Sequence, residues 1–269
     1  LAHEEKLDAG WIAGLRLIQR VAANARYFTD AASKVPADVA FGDAAAGMCI
    51  DFYGRFQSEF VSRDGISRLQ YITPLGGSSV GSDPIGLLRG SPHRDVAERF
   101  IEYVLSPEGQ KLWNFRPGTP GGPAKFAIRR LPIQPVLYSE GFRDFRSDPS
   151  VDPFQEAAAF EYHPEWTGRL FRAISVIVRV MCIEPHDELR DAWAALTEAG
   201  PDHPQYEHAM EIFSNLEPVN YAAASGRIRE AVGSADKLQE ARLAKELTQY
   251  FRAQYRRAMA QIESDGETN

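Results

Sequence analysis

The stretch Phe41–Phe56, FGDAAAGMCIDFYGRF, decides how the first half of the chain is read. A run of acidic and small residues leads into a compact apolar segment, AGMCIDFY. That segment ends in Asp51, Phe52 and Tyr53 beside Gly54. Read as a strand, it alternates its side chains, so Asp51 and Tyr53 share one face and Phe52 points into the core. A phenolate and a carboxylate are hard oxygen donors suited to a hard cation such as ferric iron. The plainer alternative is a strand-end tyrosine with its hydroxyl in water beside an exposed aspartate. For an arbitrary Asp-x-Tyr the plainer meaning is the commoner one.

Upstream of this stretch, Trp11, Leu15, Ile18 and Ala22 recur at helical spacing and predict an amphipathic helix over 8–25. Ser33 can cap a short helix running to about Phe41, with Pro36 tolerated in its first turn. Downstream, residues 65–90 read as two short strands around a Gly/Ser loop, Gly76 to Ser82. SPHRDVAERFIEYVL is the clearest helix. Ser91 is its cap and Pro92 its first residue. Val96, Ala97, Phe100, Ile101, Val104 and Leu105 make one apolar face. SPEGQKLW repeats the device: Ser106 caps, Pro107 opens, and Glu108 sits in the positive first turn. Residues 116–155 are rich in Pro and Gly and read as irregular, with a strand around Lys125–Arg129. From about 164 onward the pattern is helical, near 165–182, 187–199, 205–215, 218–231 and 235–262. Pro185, Pro201, Pro204 and Pro218 punctuate that set. In the last helix Leu243, Leu247, Tyr250, Phe251, Gln254 and Ala258 lie along one side. The tail ESDGETN is expected to fray.

The 269 residues are 44% hydrophobic, enough for one or two packed cores. Net charge is -7, and the absence of a basic tract argues against nucleic acid as a partner. The charge is uneven: residues 1–150 hold 18 of the 30 Lys+Arg and 17 of the 37 Asp+Glu, leaving 12 and 20 for residues 151–269. We read that change, from +1 to -8, as a module boundary near 150. Cys49 and Cys182 both sit in apolar runs, as buried free thiols do, and two cysteines make no disulfide framework. The longest apolar run, LFRAISVIVRVMCI, is interrupted by Arg172 and Arg179 and is too short to span a membrane. The chain begins LAHEEKLDAGW, without Met, as if in the run-up to a helix, so a missing upstream segment is expected and the lack of a visible signal peptide decides nothing.

Other polar groups are candidates for chemistry. Thr29, Asp30 and Ser33 precede a helix, whose free amides together with hydroxyls form an anion site; ordinary capping is the commoner outcome. Backbone amides in the loop carrying Ser78 and Ser79 could likewise meet an anion. That loop lacks the Gly-Lys-Ser/Thr of a P-loop. None of the six histidines has metal-ligand spacing. Tyr162, His163, Glu165 and Trp166 form a polar-aromatic cluster at a helix start, read as a structural docking point. Arg129 and Arg130 could bind a carboxylate or be solvated. No Gly-x-Ser-x-Gly, Cys-x-x-Cys or nucleotide fingerprint is present.

Two whole segments resemble a family. SPHRDVAERFIEYVLSPEGQKLW (91–113) resembles the late helix pair of bacterial extracellular solute-binding proteins, in which LSPEGQ links the two helices. NARYFTDAASKVPADVAFGDAAAGMCIDFYGRF (24–56) resembles the segment before it in the iron(III)-type branch. Together these cover about residues 10–115. The resemblance implies an α-rich α/β chain: the second lobe of a type II periplasmic-binding-protein-like fold, with a C-terminal all-helical extension. It implies a partial solute-binding lobe with return helices over 1–116, a Pro/Gly-rich connector over 117–155, and a helical extension over 156–269, with the first lobe missing upstream. Ferric-binding members carry adjacent tyrosines where this chain has Phe52-Tyr53, so only Tyr53 matches. Asp51 could substitute for the missing phenolate. Thr29 and Ser33 fall where members place ligand-contacting hydroxyls.

The expectation is therefore the solute-binding component of an ABC-type importer. It would be a monomer located in the periplasm or outside the cell, with a signal peptide upstream. It would not be an enzyme and would need no cofactor, and its transported ligand would be ferric iron or a small anion or chelate. That ligand would lie in an interlobe cleft, contacted by Tyr53, Ser33, Thr29, Asp51, Ser78 and Ser79, with Tyr53 as the metal ligand. The partner would be a membrane permease that recognises the closed state. Two other readings compete: a helical interaction module in residues 150–269 on an α/β scaffold, and a hydrolase or transferase on a related two-lobed fold.

Overall fold

The computed structural model describes residues 2–74 and 76–264. Among them helix accounts for 59% and strand for 2%, and there is no sheet. Two isolated bridges, Arg63 with Ile66 and Phe115 with Arg146, are the whole of the strand pairing among the described residues. This overturns the α/β expectation: a type II periplasmic-binding fold is built on a sheet core, and none is present. The chain divides into two compact units, one of residues 1–28 with 163–269 and one of residues 29–162.

The first unit is helical. Its elements are α1 (Ala2–Ala23), then, beyond the second unit's α2 (Lys34–Phe41), α3 (Asp51–Phe60), α4 (Arg94–Leu105), α5 (Pro107–Asn114) and α6 (Pro153–Ala157), the run α7 (Pro164–Thr167), α8 (Phe171–Val178), α9 (His186–Ala199), α10 (Tyr206–Phe213), α11 (Tyr221–Ala223), α12 (Arg229–Gly233) and α13 (Lys237–Glu263). α8 continues through a π-helical turn, Arg179–Ile183, and another, Ala224–Ile228, links α11 to α12 through the kink at Gly226. α13 starts where Asp236 accepts a hydrogen bond from the Leu238 amide. It buries Ala244, Leu247, Thr248, Phe251, Gln254, Tyr255 and Ala258 on one face, at spacings of three and four residues. That stripe packs on α9 and α10, meeting Leu189, Leu196 and Phe213 in one core.

α1 belongs to this core. Its Trp11 indole donates to the Val219 carbonyl at 2.8 Å, and Asp8 accepts from the Tyr221 amide at 2.9 Å. Gln19, 1% exposed, donates to the Phe213 carbonyl and to the Tyr255 hydroxyl. Tyr255 in turn donates to the carbonyl of Met181 in the π-helical turn. A buried polar group is tolerated only when so paired. The C-terminal helices are thus not an appendage of a sheet-based lobe; they close a core with the first helix of the chain. The frayed tail expected over 263–269 lies outside the described residues from 265 onward.

The second unit has an unusual interior. Among its described residues, apart from prolines and glycines, the buried apolar ones are Ala40, Phe115 and Leu137, while Asp38, Arg55, Gln110, Asn114, Arg146 and Asp148 are also buried. α4 buries no residue: of the apolar face expected there, Val96 and Phe100 are exposed and Ala97, Ile101, Val104 and Leu105 only half-buried. α4 starts at Arg94 after His93, two residues later than the Ser91-Pro92 signal implied. α5 starts as expected: the Ser106 hydroxyl accepts from the Gly109 amide at 3.1 Å, with Pro107 as first residue.

The expected strand at 46–53 does not form. The chain is extended up to Ile50, which enters α3 at Asp51. DFYGRFQSEF carries helix-spaced pairs that a strand would separate: Asp51 with Arg55, and Phe56 stacked on Phe60 at 5.9 Å. Gly54 is required by close packing. A Cβ there would lie 2.3 Å from Tyr71 Cδ2 and 3.0 Å from the Cys49 sulfur. The short strands expected around the Gly/Ser loop and at Lys125–Arg129 are likewise unpaired, extended or turning backbone.

Candidate functional site

Residues 29–162 line an open polar cleft of about 690 Å³. One wall is α3. Arg55, Ser58 and Glu59 recur at three- and four-residue spacing and so present one face to it, and Ser62 follows just past the helix end. The facing wall is extended backbone, Ser67 to Thr73, carrying Tyr71; Arg129, Asp148, Val151 and Glu156 complete the lining. Serines join the first two walls: Ser58 Oγ donates to the Leu69 carbonyl at 2.5 Å, and Ser67 Oγ to the Ser58 carbonyl at 2.6 Å.

Asp148 is the hub. It is 5% exposed and receives hydrogen bonds from Asn114 Nδ2 at 3.2 Å, Arg129 Nε at 3.3 Å and Arg129 Nη2 at 2.5 Å. Arg129 Nη1 also donates to Glu59 at 2.5 Å and to the Arg55 carbonyl at 3.0 Å. Arg129 takes a left-handed backbone conformation, φ 61°, which is uncommon for a residue with a side chain. Burial pulls its pKa down, but the hydrogen bond and charge of Asp148, then the charge of Glu59, outweigh this and raise it above the ordinary value. Arg129 is therefore a fixed cation with its donors engaged.

Arg55 is different. Its Nη2 pairs with Asp51, and its guanidinium lies 5.5 Å from the centre of the Tyr71 ring. Its side chain is 6% exposed, and its Nε stands 3.8 Å from Asp148, beyond hydrogen-bond range. Nε has no hydrogen-bond partner. A buried guanidinium donor that makes no hydrogen bond is costly, and here the charge of Asp148 offsets part of that cost.

The residues singled out in the sequence fall elsewhere. Asp51 and Tyr53 share the first turn of α3, two residues apart, and so diverge around the helix instead of sharing a strand face. Asp51 pairs with Arg55, and the half-buried Tyr53 ring lies 4.1 Å from Phe52. Thr29 Oγ1 accepts from the Ala31 amide, and the exposed Ser33 makes no side-chain cap bond to α2. Ser78 is half-buried and Ser79 exposed in the Gly/Ser loop. None of the six lines the cleft. Of the Arg129-Arg130 pair, Arg129 enters it, while Arg130 pairs with Asp83 and covers the Phe52 ring at 4.0 Å. Arg55, Ser58 and Glu59 were legible only as a helical face, and a strand reading hides that face. His163 stacks on Trp166 at 3.9 Å in the helical unit, beside Glu165 at 3.1 Å.

Among the described residues no group of three His, Cys, Asp or Glu side chains could hold a metal ion. No described helix is long and apolar enough to cross a membrane. Cys49 and Cys182 are free thiols. No protein-family model, curated protein or solved structure matches the chain.

Proposed function

We propose that this chain is the solute-binding component of an ABC-type importer, holding a small polar solute with an anionic group in the cleft beside α3. The observation that carries the reading is Arg55: a guanidinium on the cleft wall whose Nε is ion-paired with Asp148 but makes no hydrogen bond. The resemblance of residues 91–113 to the helix pair of solute-binding proteins supplies the importer half. It would place the protein in the periplasm or outside the cell, with a membrane permease as partner. The site lies within residues 29–162 and needs no second lobe for its lining. Ferric iron fits it less well than an organic anion does. Tyr53 offers one phenolate outside the cleft, and the cleft carboxylates Glu59 and Asp148 are already held by Arg129.

Binding to the folded state alone raises stability, by about 2.7 kcal/mol at a hundredfold excess over Kd. Thermal melts of the full chain against acetate, succinate, citrate, phosphate, ferric citrate and the free L-amino acids test the reading. At least one organic acid or amino acid should raise the melting temperature, and ferric citrate should produce no visible phenolate-to-iron band. A flat panel would overturn solute binding. A band abolished by Tyr53→Phe would restore iron as the ligand. One observation favours an interaction module instead: the exposed row Val96, Phe100 and Tyr103 on α4. A flat panel would leave that reading standing.

A further inference from the structure

Residues 67–73 are a strand without a ladder, whatever solute the cleft holds. Ser67, Leu69, Tyr71 and Thr73 are half-buried on one face, while Ile66, Arg68, Gln70 and Ile72 alternate with them and are exposed. The hydrogen bonds made to this segment's backbone by Ser58 and Ser67 stop at Leu69. Among the described residues, no backbone amide or carbonyl from Gln70 to Thr73 makes a hydrogen bond. Extended chain in this state is an edge onto which another strand adds through main-chain hydrogen bonds.

Arg68 also lines a groove of about 590 Å³, so edge and groove run together. The groove lies between the ends of α2 and α3 and a tight turn in which Arg63 and Ile66 exchange both backbone hydrogen bonds. Asp64 and Gly65 take φ of 53° and 78° there, as a two-residue hairpin turn requires. Phe41, Phe60 and Ile66 on the groove are 72–78% exposed. The lining holds two cations, Arg63 and Arg68, and no carboxylate; among the described residues neither arginine is in a salt bridge.

We infer that this edge takes an extended acidic peptide of a partner protein, added as a strand beside residues 68–73, with carboxylates facing Arg68 and Arg63 and an apolar side chain in the groove they line. Cross-strand neighbours set that chemistry: opposite charges attract, and apolar residues such as Ile66 and Ile72 pair with apolar ones. A second copy is the poorer occupant, because residues 66–74 contain no carboxylate to set against Arg68 when like edges pair.

Amide hydrogen exchange of the full chain, read residue by residue by NMR, is the test. In the free chain the amides of Gln70 to Thr73 should exchange without protection. The blocked heptapeptide Val-Thr-Glu-Thr-Val-Thr-Glu, at about 1 mM, should slow them about threefold or more. Successive strand residues face opposite edges, so protection should fall on Gln70 and Ile72 or on Tyr71 and Thr73, not on all four. The same peptide with lysine for glutamate should bind about fivefold more weakly. Arg68→Glu should reverse that preference and, Arg68 being exposed, melt like the parent protein. The peptide N-methylated throughout should not bind, since it lacks the donors a ladder uses. Binding that survives N-methylation overturns strand addition. Equal binding of the two charge forms, unchanged by Arg68→Glu, overturns the acidic partner. Protection in the free chain that grows with protein concentration gives the edge to a second copy and overturns the inference. No slowing by either peptide sinks the docking edge altogether.

Discussion

Gly54 shows how one residue can answer to its neighbours in space. A methyl group added there would have to displace the Tyr71 ring and the Cys49 sulfur, and Tyr71 is the ring beside the Arg55 guanidinium. Overpacking of this kind costs about 1–3 kcal/mol. Gly54→Ala should therefore destabilise the 29–162 unit by about that amount in urea unfolding. Adding Tyr71→Ala should make the two effects clearly non-additive, because the clash is shared. Additive effects would show that the ring moves aside freely. Cys182 makes a second case. It is 0% exposed, and burial pushes its thiol from 9.0 to about 12. A group that is neutral when folded but ionised when unfolded contributes stability that is full below the unfolded pKa and is lost as pH rises towards the folded one. Between pH 9 and about 12 its contribution should fall by about 1.4 kcal/mol per pH unit. Chemical denaturation of the Cys182→Ala protein across that range should show a shallower alkaline decline; an unchanged slope would rule the thiol out.

Local signals were read most accurately where they act within a single element. Ser106, Pro107 and Glu108 start α5 at the expected residue because a cap and its amide lie within one turn. Ser106→Ala should cost about 1 kcal/mol, measurable as a lower denaturation midpoint. The Ser91-Pro92 signal is similar in sequence, yet its helix begins at Arg94 and its cap makes no side-chain bond. α13 is legible for another reason: its stripe, Leu247, Phe251, Gln254 and Ala258, repeats over many turns. The segment 67–74 shows the opposite limit. Ser67, Leu69, Tyr71 and Thr73 are half-buried while Arg68, Gln70, Ile72 and Pro74 are exposed, so the period-two pattern of a strand is physically present. Among the described residues no neighbouring strand pairs with it. Alternation reports which face is covered; a ladder also requires a partner distant in sequence.

At the scale of the molecule, the two units rest on different interiors. The helical unit has a continuous apolar core closed by α1, so deleting residues 1–28 removes Leu15, Ala22 and Ala23 from it and leaves Tyr255 and the Phe213 carbonyl without Gln19. Losses of this kind cost at least about 3 kcal/mol. The truncated chain should lose the cooperative helical melt seen by circular dichroism or show it at a markedly lower temperature. A melt indistinguishable from the full chain would mean that α1 contributes nothing. The second unit depends instead on Asp148 and the arginines around it. Such an interior is sensitive to the loss of any one partner, because each removal leaves another buried charge unpaired.

By itself the sequence determined the helices whose signals are local or repeated, the α5 cap and the α13 stripe, and it carries no basic tract. It also marked Arg129 as a residue to follow. The tertiary structure alone decided that DFYGRFQSEF is a helix and not the end of a strand, that α1 closes the C-terminal core, and that Arg55, Arg129 and Asp148 converge on one cleft. The physical reason is separation along the chain. Capping and periodicity act over a few residues, whereas strand pairing, core closure and the meeting of Arg55 with Asp148 depend on groups dozens of residues apart, whose encounter no local pattern encodes.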